Sequence, residues 1–306
     1  MKMKSKTNTK LKVAVQIFGN MRTFEKCAPS LMKHFLKHYD CDIFIHTWSK
    51  LDHETKTWHI RQTPNKDLDL TQLRKKIQSV YKAAKIKIET QTPKDMGVYE
   101  APDSKTHSIY GIKSMFYSME QTNKLRESYE LQSKVTYDYV LMIRPDILLK
   151  KRLNIQKFTK PFSDDEIENA VFSAGFNNKP IINELRFVGA IDIIFFAKPQ
   201  VMGKLLRDHM VMATDAHRIS NLKKFRPEYL LYRQAKSQGV NFYITDYIMN
   251  GSWEILRATP KITPKKIIRL HIKKNYTNIV FLGFIQQILQ FKIIIMGYSI
   301  SLAIGE

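Results

Sequence analysis

Apolar residues fall along the chain in short, β-branched runs separated by longer amphipathic stretches. "KVAVQIF" (12–18) is nearly continuous, is bounded by Gly19-Asn20 and reads as a buried strand. Residues 26–38 predict a helix with Leu31, Phe35 and Leu36 on one face and Pro29 near its start, and "DIFIHTW" (42–48) predicts a second strand. A polar stretch leads to a short helix at 71–82 and a weak strand at 86–89, followed by a loop over 90–107 rich in Pro, Asp and Thr. The longest helix, 110–131, places Ile112, Phe116, Met119 and Leu125 at helical spacing. "YDYVLMI" (137–143) is the third strong strand and runs into Arg144-Pro145-Asp146. Further strands are predicted at 170–174, 190–197 and 240–245, and helices at 199–212 and 227–238. Strands alternating with helices predict an α/β fold, a single Rossmann-type, mainly parallel sheet flanked by helices. The chain shows no internal repeat and no composition break of the kind a linker makes. It therefore divides into a loose basic arm (1–10), one domain (11–258) and a C-terminal extension (259–306).

The extension has its own pattern. From Ile255 to Gly305 there is no acidic residue, and a basic cluster precedes the apolar "NIVFLGFIQQILQFKIIIMGYSISLAIG". Gln286, Gln287, Gln290 and Lys292 interrupt that run, so it is a poor membrane span. Read as a helix it is amphipathic, with Phe284, Ile288 and Ile295 opposite the glutamines. Such a helix lies on an anionic leaflet or packs on the domain's own core, and both readings stand. The chain's start carries no run long enough for a secretory signal, so the expected location is cytoplasmic, peripheral at the inner face of the membrane.

Composition narrows the classes. With 43% hydrophobic residues, 11 Gly and 11 Pro in 306, the chain is neither intrinsically disordered nor fibrous. Two cysteines, Cys27 and Cys41, frame neither a disulfide scaffold nor a four-ligand zinc site. The net charge of +22 implies anionic company: nucleic acid, an acidic membrane face or phosphorylated substrates. Of the 50 basic residues 37 are Lys and 13 Arg, the reverse of what bidentate base or phosphate readout favours.

Candidate chemistry sits where the strands end, because ligands of open α/β sheets bind beyond the carboxyl ends. In "FGNMRTF", Gly19 allows a tight turn and Arg22 brings a positive charge suited to nucleotide phosphates, unless the segment is only a strand-to-helix turn. In "YDYVLMIRPDILL", a strand delivers Arg144 and Asp146 about Pro145. A carboxylate there holds a divalent metal that bridges phosphates, or it pairs with its arginine and closes the turn. Asp192 lies among apolar residues, where an idle carboxylate is costly, and reads as a catalytic base, an acceptor ligand or a quiet ion-pair member. Glu228 reads as a helix-start charge, and Trp48 and Trp253 as core rings that also suit stacking on a base or sugar. His46, His107 and His271 are scattered, and no P-loop or GxGxxG is present.

"VAVQIFGNMRTFEKCAPSLMKHFLKHYDCDIFIHTW", "YDYVLMIRPDILL", the Asp-bearing strand and "RPEYLLYRQAKSQGVNFY" together resemble bacterial glycosyltransferases that build capsule and lipooligosaccharide, over residues 11–258. The resemblance implies a GT-A-like fold, a nucleotide-sugar donor and a glycan or lipid-linked acceptor. It places Gly19 and Arg22 near the nucleotide, Asp146 on metal (Mn²⁺ or Mg²⁺) or diphosphate, and Asp192 toward the acceptor. Arg144 stands where the first Asp of a DXD motif is usual, which leaves the arginine itself to neutralise the diphosphate. The rival classes are a basic nucleic-acid-binding protein, which calls for an Arg-and-aromatic patch not visible here, and a catalytically inactive GT-A scaffold.

Overall fold

A computed structural model describes residues 10–52, 68–90, 109–175, 181–183, 186–188, 190–207, 227–257, 293–295 and 298–300. The chain divides into two compact units, Met1–Ala258 and Thr259–Glu306. In the first, the elements run β1 (Lys12–Phe18), α1 (Phe24–His34), β2 (Asp40–Trp48), α2 (Leu70–Tyr81), β3 (Lys85–Glu89), α3 (Ile109–Ser133), β4 (Tyr139–Ile143) and β5 (Ile147–Leu149). They continue with α4 (Ile155–Thr159), α5 (Asp164–Glu168), β6 (Ala170–Gly175), the β7–β8 hairpin (Ile181–Asn183, Arg186–Val188) and β9 (Ala190–Ala197). The unit closes with α6 (Pro199–Leu206), α7 (Pro227–Ser237), β10 (Asn241–Ile248) and β11 (Trp253–Ile255).

Seven strands form one sheet in the order β10-β6-β9-β4-β1-β2-β3. Neighbours are parallel except at β9, which runs antiparallel to both β4 and β6. The expectation of a mainly parallel α/β sheet flanked by helices therefore holds. The near-continuous apolar runs exist because both faces of the sheet are covered. Val13, Val15 and Ile17 of β1 enter one core with Phe24, Ala28 and Leu31 of α1. Ala14 and Phe18 enter the other with Ile112, Phe116 and Met119 of α3 and with Val201 and Leu205 of α6.

Element ends follow local chemistry. Asp69 caps α2 by accepting from the amides of Thr71 (2.8 Å) and Gln72 (3.2 Å). Ser163 and Glu166 close a capping box on α5. Pro29 is interior to α1 because the helix begins at Phe24, two residues ahead of the expected start. The small antiparallel pair β5–β11 sets Trp253 opposite Leu149 and Ile255 opposite Ile147, and it was not foreseen. Trp253 is fully buried and donates Nε1–H to the Tyr247 carbonyl at 3.1 Å, so it fills the core.

In the second unit, β12 (Ile293–Ile295) and β13 (Tyr298–Ile300) pair as short antiparallel strands. Ile293–Ile295, read from the sequence as part of an amphipathic helix, are strand instead, since the β-branched isoleucine run favours extended backbone. Gln286, Gln287, Gln290 and the basic residues from Lys261 to Lys274 lie outside the described residues. Among the described residues no helix is long and apolar enough to cross a membrane.

Candidate functional site

The chain order of strands reverses between β1 and β4: β2 and β3 lie to one side of β1, and β4, β9, β6 and β10 to the other. Loops leaving β1 and β4 therefore diverge, and the crevice between them is the place such a sheet offers a ligand. Gly19 and Arg22 leave β1 at this point, and Arg144 and Asp146 leave β4. The turn at Gly19 has φ +90°, and a Cβ there would meet nothing within 4 Å, so the backbone angle alone calls for glycine. Arg22 is itself left-handed at φ +43°, held by its amide bond to the Leu51 carbonyl (2.9 Å).

Asp146 is completely buried, and three guanidinium groups converge on it. Arg144 donates Nε–H to Oδ1 (2.9 Å) and Nη2–H to Oδ2 (2.5 Å). Arg22 Nη1 and Arg257 Nη1 donate to the same Oδ2 at 2.9 and 3.1 Å. Arg22 also donates Nε–H to Asp52 Oδ1 at 2.8 Å. Burial alone would raise the Asp146 pKa, but the charges of Arg144, Arg22 and Arg257 outweigh it and hold the carboxyl well below its ordinary range. Burial and the like charges of Arg144 and Arg22 push Arg257 down to about 9, so it is still a cation at neutral pH.

Arg257 reaches the crevice through β11. The Leu256 amide donates to the Asp146 carbonyl (2.8 Å), and Thr23 Oγ1 donates to the Leu256 carbonyl (2.5 Å), which pins the chain beside the start of α1. Neither Arg257 nor Asp52 was singled out as a site residue from sequence, because the three-residue β5–β11 pair leaves no periodic signal.

Asp192 occupies β9, next to β4. The Arg144 amide donates to the Ile193 carbonyl at 3.1 Å, so Asp192 sits one residue from the RPD strand's exit. Burial raises its pKa to about 6, against the pull of Arg144 and a bond from its own amide. It is thus mostly ionised at pH 7 yet more basic than an exposed aspartate.

A second polar group lies at the ends of β2 and β3. His46 Nε2 meets Glu89 Oε2 at 2.8 Å, and its Nδ1 meets Ser118 Oγ of α3 at 2.7 Å. Burial lowers the His46 pKa more than Glu89 raises it, so the ring is neutral. A carboxylate only accepts, so Nε2 carries the proton and Nδ1 accepts from the Ser118 hydroxyl. Ser118 Oγ in turn accepts the Gly19 amide at 2.7 Å. Glu89 also accepts from Tyr117 Oη (3.1 Å) and Lys87 Nζ (2.9 Å), and its pKa falls to about 2, chiefly through the His46 bond. Trp48 is buried and stacks on Tyr117, with centroids 5.6 Å apart. These residues form a locked frame behind the Gly19 turn.

Glu228 stands in the first turn of α7, and His107 and His271 lie outside the described residues. His34 and His38 are four residues apart, but their pKa values are lowered by burial and by Lys33, Lys37 and Arg152. Among the described residues no group of three or more His, Cys, Asp or Glu converges as a metal centre would require.

Residues 8–169 match a family described as "Domain of unknown function (DUF7796)", more than half of the 306-residue chain. The chain belongs to this family. The matched stretch carries both loops of the crevice, Gly19–Arg22 and Arg144–Asp146, while Asp192 and Arg257 fall beyond it. No curated protein matches the chain.

Proposed function

We propose that this chain is a GT-A-like glycosyltransferase that moves a sugar from a nucleotide-sugar donor to a cell-surface glycan acceptor of the capsule or lipooligosaccharide kind. One observation carries the reading: at the β1/β4 crevice Arg22 and Arg144 meet on Asp146, and the Arg144 amide bonds to the carbonyl of the residue after Asp192, a buried carboxylate poised near pH 6. Glycosyl transfer needs those two things, a fixed positive field where the diphosphate leaves and a base for the acceptor hydroxyl. The RPD segment follows β4 directly, and the resemblance implies a DXD-type motif at such a strand end.

In this reading the guanidinium groups stabilise the charge that develops on the departing nucleoside diphosphate. Preorganisation matters, because donors already fixed by Asp146 and Asp52 need no reorganisation as charge appears. Asp192, ionised at neutral pH, accepts the acceptor's proton as the new glycosidic bond forms. The Gly19 turn, held by Ser118, fixes the backbone that presents Arg22. The basic extension supplies the contact with an anionic membrane face where a lipid-linked acceptor is found.

A divalent metal is the group a DXD-type site implies, and these residues do not suit one. Both Asp146 oxygens already accept from guanidinium groups, and a cation approaching them would face three like charges.

The test is a thermal-shift screen against UDP-, GDP- and CMP-sugars, followed by a transfer assay with the stabilising donor. A ligand that binds only the native state must raise Tm, by about 2.7 kcal/mol of stability at a hundredfold excess over Kd. The proposal expects one nucleotide class to stabilise the protein and to be turned over. If none does, and the chain instead binds RNA or DNA with affinity falling steeply in salt, the nucleic-acid reading replaces it.

A further inference from the structure

We infer that Asp146 is an internal counter-ion, and that Arg22, Arg144 and Arg257 form a three-guanidinium clamp that binds a pyrophosphate group without a divalent cation. The ligand class rests on the glycosyltransferase reading; the clamp rests on geometry alone.

Asp146 has no exposed surface, whereas the side chains of Arg22, Arg144 and Arg257 are 12%, 14% and 30% exposed. The carboxylate is thus the floor of the crevice and the guanidinium groups are its walls. Three guanidinium N–H bonds crowd Oδ2 and one reaches Oδ1, so a metal or a substrate hydroxyl finds at most one lone-pair position, on Oδ1 beside Arg144. Each guanidinium carries five N–H donors, and the carboxylate contacts described use two from Arg22, two from Arg144 and one from Arg257. The N–H pairs of such forks suit a tetrahedral oxyanion.

Charge gives the same answer. Among the described residues Asp146 and Asp52 pair with the three cations, while Asp192 lies in the field of Arg144 without a salt bridge to any of them. Three guanidinium groups around a single carboxylate repel one another, and a second anion between them eases that repulsion. Arg257 is held by a single 3.1 Å bond and is the most exposed of the three. It is therefore the arm that turns onto the incoming phosphate, while Arg22 and Arg144 remain braced.

Calorimetry with inorganic pyrophosphate on the full chain tests this. The wild type should bind in EDTA with a Kd that Mg²⁺ or Mn²⁺ changes by less than about threefold. Arg257→Gln, at a partly exposed position where folding is retained, should weaken binding by about tenfold or more, and Arg257→Lys should fall between because it keeps the charge but not the fork. Lys33→Gln, which removes an exposed charge from α1, should bind as wild type and so controls for general basic attraction. Binding that needs Mg²⁺ or Mn²⁺, or an Arg257→Gln protein that binds as wild type, would overturn the clamp. The two readings fail separately. Metal-free pyrophosphate binding without binding of any nucleotide-sugar sinks the transferase and leaves the clamp, and Mn²⁺-dependent transfer with no metal-free pyrophosphate binding does the reverse.

Discussion

Two clusters of polar residues lie along one edge of the sheet, and they differ in how their hydrogen bonds close. Beyond β2 and β3, the Gly19 amide, Ser118, His46 and Glu89 form a relay in which each donor meets an acceptor, with the His46 carbonyl also 3.3 Å from Ser118 Oγ, and Tyr117 and Lys87 complete the carboxylate. Beyond β1 and β4, three guanidinium groups share one carboxylate and have N–H donors left over from those bonds. Buried polar groups that are matched make a rigid frame. Guanidinium groups with N–H donors left over make a binding site. The difference separates scaffold from site without reference to any relative.

The largest expected effect is on turnover. Asp192→Asn should lower kcat by about 10²–10⁴, the usual contribution of a general base. Wild-type kcat should rise with pH around the Asp192 value of about 6. The same substitution should stabilise the protein at pH 8. A carboxyl raised from 3.8 to about 6 on folding costs stability as pH rises through that window, and the cost stays constant above it. Removing a two-unit shift should recover about 2–3 kcal/mol at pH 8 and almost nothing at pH 4, measured by urea unfolding. An unaltered kcat would remove Asp192 from the chemistry.

Next in size, Asp146→Asn should cost about 3–5 kcal/mol of stability, because it strands buried guanidinium charge without its partner. The loss should be smaller in phosphate buffer, where an anion replaces the missing carboxylate. Ser118→Ala, a break in the relay, should cost about 1–3 kcal/mol by leaving the Gly19 amide and His46 Nδ1 unmet. It should change nucleotide affinity by less than Arg144→Gln does; an equal or greater loss of affinity would erase the distinction between frame and site. Gly19→Ala should be the mildest, about 1 kcal/mol, since only φ +90° opposes the methyl and nothing crowds it.

Most of the sheet was legible because β-branched runs buried on both faces announce strands, and each of the seven sheet strands falls on a run read from the sequence. Gly19, Arg22, Arg144 and Asp146 were legible as polar residues at strand ends, and the fold brings the two pairs together as a switch point requires. Asp146 was read as a ligand or an ion-pair member, and only the fold shows how completely arginines occupy it. Arg257 was not legible as a partner of Asp146, since their meeting depends on two three-residue strands far apart in sequence. The His46–Ser118–Glu89 relay escaped for the same reason: three elements contribute one residue each, and no spacing links them. In the extension, an isoleucine-rich run fits helix and strand alike, and the β12–β13 pairing shows which periodicity prevails at its end.

The central claim is that the guanidinium groups at the β1/β4 crevice hold the phosphates of a nucleotide. Titrating UDP, GDP and CDP into wild type and Arg144→Gln, at fixed ionic strength in EDTA, measures it directly. Saturable one-to-one binding of at least one diphosphate by the wild type, weakened by about tenfold or more in the variant, is the result the account expects. Equal affinity in the two proteins, or no binding of any diphosphate by the wild type, would contradict it.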